Sequence, residues 1–143
     1  MSLPSQLFKS IKKIPGGIAG GYIDLNTDEL ICMLTMDQQP KELLDKLTGI
    51  THDLFLGPNV QMVEEAINNL RGGLDKPQLL REMIITTDHL MHVFVRANVN
   101  KKHIVTFVCS KDQNLAIVLT NAKAETPGLE AAYQADLANR KTG

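Results

Sequence analysis

Four histidines are the residues of this 143-residue chain whose type could do chemistry. His89, His92 and His103 flank two strand-like runs, and His52 lies apart from them. Asp88 could add a carboxylate to a metal site built from the first three. However, side chains alternate between the two faces of a strand, so residues 89 and 92 point to opposite faces. We therefore expect no metal site.

Two cysteines, Cys32 and Cys109, are the other candidate reactive groups, and both lie inside apolar strand-like runs. A cysteine paired with a histidine could act as a nucleophile, but a thiol packed within an apolar strand is usually inert. We expect reduced, buried thiols rather than a disulfide. No serine lies in a nucleophile-elbow pattern, and no paired carboxylates have an informative spacing. We expect no catalytic residue and no cofactor.

Four glycines near the start, Gly16, Gly17, Gly20 and Gly21, invite comparison with a phosphate-binding loop. Such a loop follows a strand, opens a helix and carries Lys-Ser/Thr. These glycines do the reverse, because they follow a helical pattern and enter a strand-like run. Glycine inside a strand more often marks a close backbone approach or a bulge.

Composition and charge exclude several classes of protein. The chain has 15 basic and 16 acidic residues and a net charge of -1, without the basic excess of a nucleic-acid binder. No apolar run approaches the ~20 residues that span a bilayer, and the start lacks a signal-peptide pattern. With 43% hydrophobic residues the chain can bury one mainly aliphatic core. We expect a soluble, cytoplasmic protein with no membrane span and no nucleic-acid partner.

Three β-branched runs between Arg81 and Lys111 form the centre of the predicted fold, because their short polar connections are typical of antiparallel strands. The middle run alternates with a period of two, so one face is expected to be buried and the other only partly covered. The first face carries Met91, Val93, Val95, Ala97 and Val99, and the second carries Leu90, His92, Phe94 and Arg96.

The segments before these strands predict a helix, a hairpin and a long helix. Ser2 is placed to cap the first helix, whose apolar residues recur at helical spacing as far as Ile14. The hairpin strands are expected near 18–25 and 30–36. A helix over 40–71 is expected to break at Gly57-Pro58. Its second half places Val60, Val63, Ala66, Ile67 and Leu70 on the core side and Gln61, Glu64, Glu65 and Asn68 on the outer side.

The end of the chain predicts a closing helix and a tail. Asp112 is the expected cap of a helix that begins near Leu115, although the pair Ile117-Val118 leaves a strand over 113–124 open. Thr126-Pro127-Gly128 is expected to stop that helix. We therefore predict one domain over residues 1–125 and a C-terminal tail over 126–143 that is partly helical or mobile.

The order of these elements resembles the roadblock (dynein light-chain) family, which has a profilin-like fold. The resemblance covers residues 4–124 and rests on three segments: GGIAGGYIDLNTDELICML, REMIITTDHLMHVFVRA and HIVTFVCSKDQNLAIVLTNA. It implies an α+β fold with element order α-β-β-α-β-β-β-α. A five-stranded antiparallel sheet would lie between the long helix on one face and the terminal helices on the other.

The same resemblance implies a non-catalytic scaffold or regulator that forms dimers. Two sheets would join edge to edge, with the long helices side by side, through a dimer edge formed by Glu82, Met83, Ile84, Ile85 and Thr86. An uncharged apolar edge needs a cover, although a loop or the tail could supply it. The implied partner is a small Ras-like GTPase or a signalling complex. It would bind an outer helix surface of Gln61, Glu64, Glu65 and Asn68. The alternative is a small-ligand sensor with a pocket between the sheet and the helices.

Overall fold

The computed structural model describes residues 2–27, 29–36, 55, 57–70 and 81–142. The elements in chain order are α1 (Leu3–Lys13), β1 (Gly17–Asp24), β2 (Glu29–Thr35), α2 (Pro58–Leu70), β3 (Glu82–Thr86), β4 (Leu90–Arg96), β5 (His103–Ser110) and α3 (Leu115–Thr142). This is the element order predicted from the sequence. Each described strand begins and ends close to its predicted bounds, because the alternation and the turn residues define both.

The five strands form one antiparallel sheet in the order β2-β1-β5-β4-β3. The last strand, β5, lies at the centre between β1 and β4, and β2 and β3 form the two edges. The predicted α+β fold is confirmed, with α1 and α3 on one face and α2 on the other.

The α1/α3 face holds the larger core. Every second residue of the central strands joins the buried sides of the two helices: Leu3, Leu7, Ile11, Tyr22, Met91, Val93, Val95, Val105, Phe107, Cys109, Val118, Ala122, Leu129 and Ala132. A Cβ added at Gly20 would lie 2.9 Å from Ile11 Cγ1 and 3.1 Å from Leu7 Cδ1. Glycine here lets helix α1 lie directly on β1, which confirms the close approach predicted for a glycine inside a strand.

The opposite face, which we call the α2 face, carries a smaller cluster of Ile23, Leu25, Phe55, Phe94 and Ile104. Arg96 shares this face with Phe94, since the two residues are two apart on β4. The negative charge of Glu64, on α2, acts on the Arg96 guanidinium. Residues 40–54, 56 and 71 of the helix predicted over 40–71 lie outside the described residues. Its second half begins at Pro58, a favoured first position of a helix.

Helix α3 begins at the predicted Leu115, but its cap and its end differ from the prediction. Its cap is Asn114 rather than Asp112, since Asn114 Oδ1 accepts from the Ile117 N–H at 3.2 Å. Its start at Leu115 also removes the strand alternative for 113–124. The predicted stop at Thr126-Pro127-Gly128 is wrong, because the helix continues to Thr142, and the division proposed at residue 125 falls inside it.

Tertiary packing explains why a proline does not end α3. Proline inside a helix costs about 3 kcal/mol or more, but residues beyond Pro127 gain buried contacts that oppose this cost. Leu129 and Ala132 enter the α1/α3 core, and the Leu3 N–H donates to Asp136 Oδ2 at 2.9 Å. The segment predicted as a tail therefore forms part of the folded core.

The alternation of β4 is confirmed as far as Ala97, and residue 99 is the exception. Met91, Val93, Val95 and Ala97 are buried, whereas Val99 is 79% exposed. Strand β4 ends at Arg96, so the two-residue period no longer applies at residue 99. The second face is more completely covered than expected, because Phe94 and Arg96 are each only 1% exposed.

Candidate interaction surfaces

Helix α2 turns its apolar residues to solvent, which contradicts the orientation predicted for it. Met62 is 67% exposed, Val63 57% and Ile67 42%, and Ala66 is also exposed. The side chains of residues 60 and 70 lie outside the described part of the chain. At 100° per residue, the four apolar positions occupy about 140° of the helix circumference. We call Met62, Val63, Ala66 and Ile67 the α2 stripe.

A buried arginine lies on the α2 face. Arg96 is 1% exposed, lies 5.2 Å above the Phe55 ring and donates from Nη1 to the Lys101 carbonyl at 2.6 Å. Burial lowers the pKa of Arg96, and the charge of Glu64 opposes that shift. One carboxylate oxygen of Glu64 is completely buried. A buried guanidinium is stabilised by a nearby negative charge, and α2 places Glu64 where its charge acts on Arg96 while its apolar side faces solvent.

The four residues predicted as a partner surface do not share one environment. Gln61 and Glu65 are exposed, whereas Glu64 is half-buried beside Arg96. Asn68 lies in α2, and its side chain is outside the described part of the chain. The exposed polar side of α2 is therefore represented by Gln61 and Glu65.

Strand β3, which carries the predicted dimer edge, lies at an edge of the sheet and pairs with β4. Met83, Ile84 and Ile85 are half-buried, and Thr86 is exposed. Glu82, at the start of the strand, is also half-buried and forms an ion pair with Lys123 Nζ at 2.8 Å. The interior of this strand therefore presents apolar side chains and no charge.

The C-terminal half of α3 reaches toward the other edge of the sheet. The Asn98 and Val99 N–H groups donate to the two carboxylate oxygens of Glu130 at 2.8 and 2.7 Å. Tyr133 stacks on Tyr22 with ring centroids 5.3 Å apart. This half of α3 therefore holds the β4–β5 connection and borders β2, at the opposite edge of the sheet from β3.

The sequence pattern did not identify Glu130, Tyr133 and Asp136. All three make specific contacts, and they are spaced three residues apart in a segment taken to be a tail. Residues at this spacing lie on one side of a helix. Adjoining Leu129 and Ala132 mark that side as core-facing. The pattern is readable only if the helix is assumed to pass through Pro127.

His103 is the centre of a polar cluster beneath α3. The Lys102 N–H donates to Asn100 Oδ1 at 3.0 Å, which leaves the Asn100 amide nitrogen to donate to His103 Nε2 at 3.1 Å. His103 Nε2 must then accept, so the ring is neutral and its Nδ1–H donates to the Tyr22 hydroxyl at 2.9 Å. Burial lowers the pKa of His103, while Asp24 and Glu130 oppose the shift.

The candidate metal ligands do not come together in the part of the chain that the structure describes. No group of three or more histidine, cysteine or acidic residues in that part could hold a metal ion. His92 faces α2 and His103 faces α3, so the sheet separates the two imidazoles; His52 lies outside the described part. Burial raises the pKa of both Cys32 and Cys109, with smaller contributions from Asp136 and Asp112 respectively, so both thiols stay protonated at neutral pH.

A small cleft lies between α1, β2 and the end of α3. Its volume is about 60 Å³, and its lining is Leu3, Pro4, Ile31, Cys32, Tyr133, Asp136, Leu137 and Arg140. Small-molecule sites usually occupy about 300–1,000 Å³. This cleft is the size of one side chain, so it is not itself a small-molecule site. Within the residues that can be described, no helix is long and apolar enough to cross a membrane.

Several solved structures share this architecture. A roadblock/LC7 domain from Streptomyces avermitilis is 7% identical with a TM-score of 0.66, over 94% of this chain and 99% of that one. MglB in a tetrameric arrangement is 16% identical with a TM-score of 0.67, over 95% and 89%. The gliding protein MglB of Thermus thermophilus is 13% identical with a TM-score of 0.66, over 93% and 89%. The sequence itself matches no protein-family model and no curated protein. The similarity to solved structures extends beyond residues 4–124, and we conclude that this chain has the roadblock fold.

Proposed function

We propose that this protein is a non-catalytic, homodimeric scaffold of the roadblock type that binds a small Ras-like GTPase or a signalling complex in the cytoplasm. The observation that carries the proposal is the exposure of the α2 stripe. The helix also has a polar side, and a helix usually turns its polar side to solvent. An amphipathic helix normally buries its apolar side. A helix that exposes it has a surface suited to another chain.

A second copy of the chain is the occupant that fits the α2 stripe best. A two-fold axis brings the same surface of both copies together, so a stripe of Met62, Val63 and Ile67 would pack against its own equivalent. The uncharged interior of β3 could pair with β3 of the second copy in the same step. The MglB chain described in a tetrameric arrangement is a protein of similar fold that self-associates.

Dimer formation would leave the polar side of α2 for a different partner. Gln61 and Glu65 are exposed on that side and can make polar contacts with a GTPase. Glu64 and Asn68 complete the surface inferred from the family resemblance. We assign Glu64 the further task of compensating the charge of Arg96, because its carboxylate is partly buried beside that guanidinium.

Light scattering across a dilution series tests the dimer. We expect a mass near twice 15.8 kDa for the wild type and a shift toward 15.8 kDa for Val63→Glu. Gln61→Glu is the matched control, since it adds the same charge to the same helix on the opposite side. Circular dichroism confirms that each variant is folded. A wild-type protein that stays monomeric at all concentrations overturns the dimer.

Binding of purified small Ras-like GTPases, loaded with GDP or with a GTP analogue, tests the partner. Gln61→Lys combined with Glu65→Lys should weaken binding by about tenfold or more while leaving the dimer intact. Ser5→Lys, at an exposed position on the other face of the sheet, is the control. If the dimer binds no GTPase in either nucleotide state, the GTPase is ruled out as the partner, and the dimeric scaffold remains the proposal.

A further inference from the structure

The outer surface of the α1/α3 layer carries one sign of charge. The three acidic residues of these helices, Glu125, Glu130 and Asp136, are buried or half-buried, and each accepts a hydrogen bond from within the chain. The exposed charged side chains in the described parts of α1 and α3 are all basic: Lys9, Lys12, Lys13, Lys123 and Arg140. Because the whole chain has a net charge of -1, this positive charge belongs to one face rather than to the protein as a whole.

Lys9 and Lys12 are the centre of this surface. Neither forms an ion pair with the described residues, whereas Lys13 and Lys123 each pair with a carboxylate. Lys12 Nζ lies 4.2 Å from the centroid of the Phe8 ring, which is itself 42% exposed. The ammonium and the ring attract each other, so a positive charge and an apolar group share the outer side of α1. We call Phe8, Lys9, Lys12 and Lys13 the α1 basic surface.

Helix α3 continues this surface with little relief. Ile117 is 51% exposed and lies one turn from Asn121, whose side chain donates to the Lys13 carbonyl at 3.1 Å. Ile117 therefore lies beside the end of α1. Further along the outer side of α3, the exposed residues are small: Thr120, Ala124, Gly128, Ala131, Ala135 and Ala138. Small side chains on a helix let a flat partner approach both helices together.

We propose that the α1 basic surface docks on an anionic lipid membrane, with Ile117 beside it. Anionic headgroups attract lysine side chains close to the membrane surface. An amphipathic helix lying in the plane of a membrane buries apolar side chains at the boundary between headgroups and acyl chains. Phe8 and Ile117 are exposed beside the lysines and are placed to enter that boundary. The docking is peripheral and leaves the fold of the chain unchanged.

The type of basic residue favours lipid over an acidic protein. Protein interfaces are enriched in arginine and depleted in lysine, and all the charges of α1 are lysines. A lysine ammonium on a flexible stem needs no fixed geometry, whereas a guanidinium makes directed pairs. Mobile headgroups are matched by the former. The outer sides of two helices also form a broad surface rather than the concave site that encloses a small anion.

The dimer proposed through α2 and β3 would strengthen this docking without being required for it. Antiparallel pairing of two β3 strands, with the α2 stripes in contact, turns both α1/α3 faces to the same side of the joined sheet. Two basic surfaces would then meet one membrane together, which raises the overall affinity. This added affinity rests on the proposed dimer, whereas the docking of one copy does not.

Co-sedimentation of the full chain with lipid vesicles tests the docking. We expect binding to an equal mixture of phosphatidylserine and phosphatidylcholine, weakened by added salt, and none to phosphatidylcholine alone. Lys9→Gln combined with Lys12→Gln should lower the partition coefficient by about tenfold or more. Lys101→Gln combined with Lys102→Gln removes the same charge from exposed positions in the β4–β5 connection and is the matched control. Equal losses in the two double variants would overturn the α1 basic surface.

Two further measurements separate lipid docking from its alternatives. Phe8→Ala should weaken vesicle binding by about fivefold or more, because the ring no longer enters the membrane. Circular dichroism confirms that each variant is folded. A wild-type protein that binds soluble poly-glutamate but not the anionic vesicles has a surface for an acidic protein, and this result overturns lipid docking. So does a protein that binds neither.

Val63→Glu distinguishes this proposal from the dimer, because it changes the opposite face of the sheet. We expect the monomeric variant to bind anionic vesicles less tightly than the wild type, with the same dependence on Lys9 and Lys12. Complete loss of vesicle binding in Val63→Glu would overturn the docking of a single copy. A wild type that is monomeric in light scattering but binds the vesicles through Lys9 and Lys12 would overturn the dimer and support the docking.

Discussion

The two faces of the sheet are built from alternate residues of the same strands, yet the helices on them turn different side chains toward the sheet. On the α1/α3 face, the helices bring apolar side chains inward, and their polar groups have partners: Ser10 Oγ donates to Glu125 Oε1 at 2.8 Å, and Asn121 Nδ2 donates to the Lys13 carbonyl at 3.1 Å. On the α2 face, the helix brings a carboxylate inward and leaves its apolar residues in solvent. The first arrangement buries apolar side chains within the chain, and the second leaves them exposed to solvent.

The buried histidines show the same contrast. His103, on the α1/α3 face, bonds Tyr22 and Asn100 through its two ring nitrogens. His92, on the α2 face, has a completely buried Nδ1 without a hydrogen-bond partner. Burial lowers the pKa of both rings, with carboxylates opposing the shift only at His103. Among the described residues, the buried histidine of the α1/α3 face therefore has more hydrogen-bond partners than that of the α2 face.

The largest difference between the faces is expected from truncating one apolar residue on each. Phe107 is 1% exposed in the α1/α3 core, so Phe107→Ala should lower the free energy of unfolding by about 3–5 kcal/mol. Ile67→Ala, on the α2 stripe, should change it by less than about 0.5 kcal/mol.

Urea unfolding of both variants in the Val63→Glu background measures this difference, because dissociation of a dimer would otherwise add to the measured free energy of unfolding. The same Ile67→Ala change should weaken the proposed dimer in the wild-type background. Equal losses of stability at the two sites would contradict the distinction between a folding face and an association face.

Removing Arg96 is expected to have the next largest effect. Arg96→Met keeps the bulk of the side chain but leaves the partly buried Glu64 without its positive partner, at a cost of about 3 kcal/mol. Glu64→Leu added to this variant should recover most of the loss, because an apolar pair replaces the buried charges. Thermal and urea unfolding of the single and double variants measure the recovery. A double variant as unstable as the single one would mean that Glu64 does not compensate Arg96.

The orientation of α2 also shows where sequence reasoning reached its limit. Alternation in β4 correctly separated Val93 and Phe94, because a strand between two layers of structure buries a defined set of residues on each side. The apolar period of α2 was correctly read, but its direction was not. A hydrophobic pattern identifies the apolar side of a helix and does not reveal whether that side meets the same chain or another one. The charge of Glu64 acts on the buried Arg96, and this electrostatic interaction joins residues that are distant in the sequence.

The closing helix illustrates a different limit. Thr126-Pro127-Gly128 is a local stop signal, and the buried contacts that overcome it involve residues from β1, the β4–β5 connection and α1. Local propensity could not predict that balance, because the stabilising partners are far away in the sequence. The edge position of β3 was easier to infer, because the family resemblance supplied the order of the strands. Pairing through Glu82–Thr86 and binding through Gln61 and Glu65 remain predictions.

A smaller effect is expected at Glu130, which holds the β4–β5 connection. Glu130→Gln keeps the size of the side chain and one acceptor oxygen, so one of the two backbone N–H groups loses its partner. We expect a loss of about 1–3 kcal/mol and faster hydrogen exchange at Asn98 and Val99 than elsewhere in the sheet. Glu125→Gln, at the other end of the α1–α3 contact, is the control that should leave exchange at these two amides unchanged.

The smallest effect is expected from acid, and it distinguishes the two histidines. Because burial lowers the pKa of His92 and of His103, the unfolded chain binds protons more readily. Stability is therefore complete above the unfolded-state pKa of about 6.5, falls as the pH decreases below it, and levels off below the folded-state values. His92→Leu should reduce this acid sensitivity without lowering stability at pH 8, since Nδ1 has no bond to lose. His103→Leu should lower stability at pH 8, because Tyr22 and Asn100 lose their shared partner. Urea unfolding from pH 8 to pH 5 measures both variants. A His92→Leu protein that is clearly less stable at pH 8 would show that the α2 face matches its polar groups as completely as the α1/α3 face does.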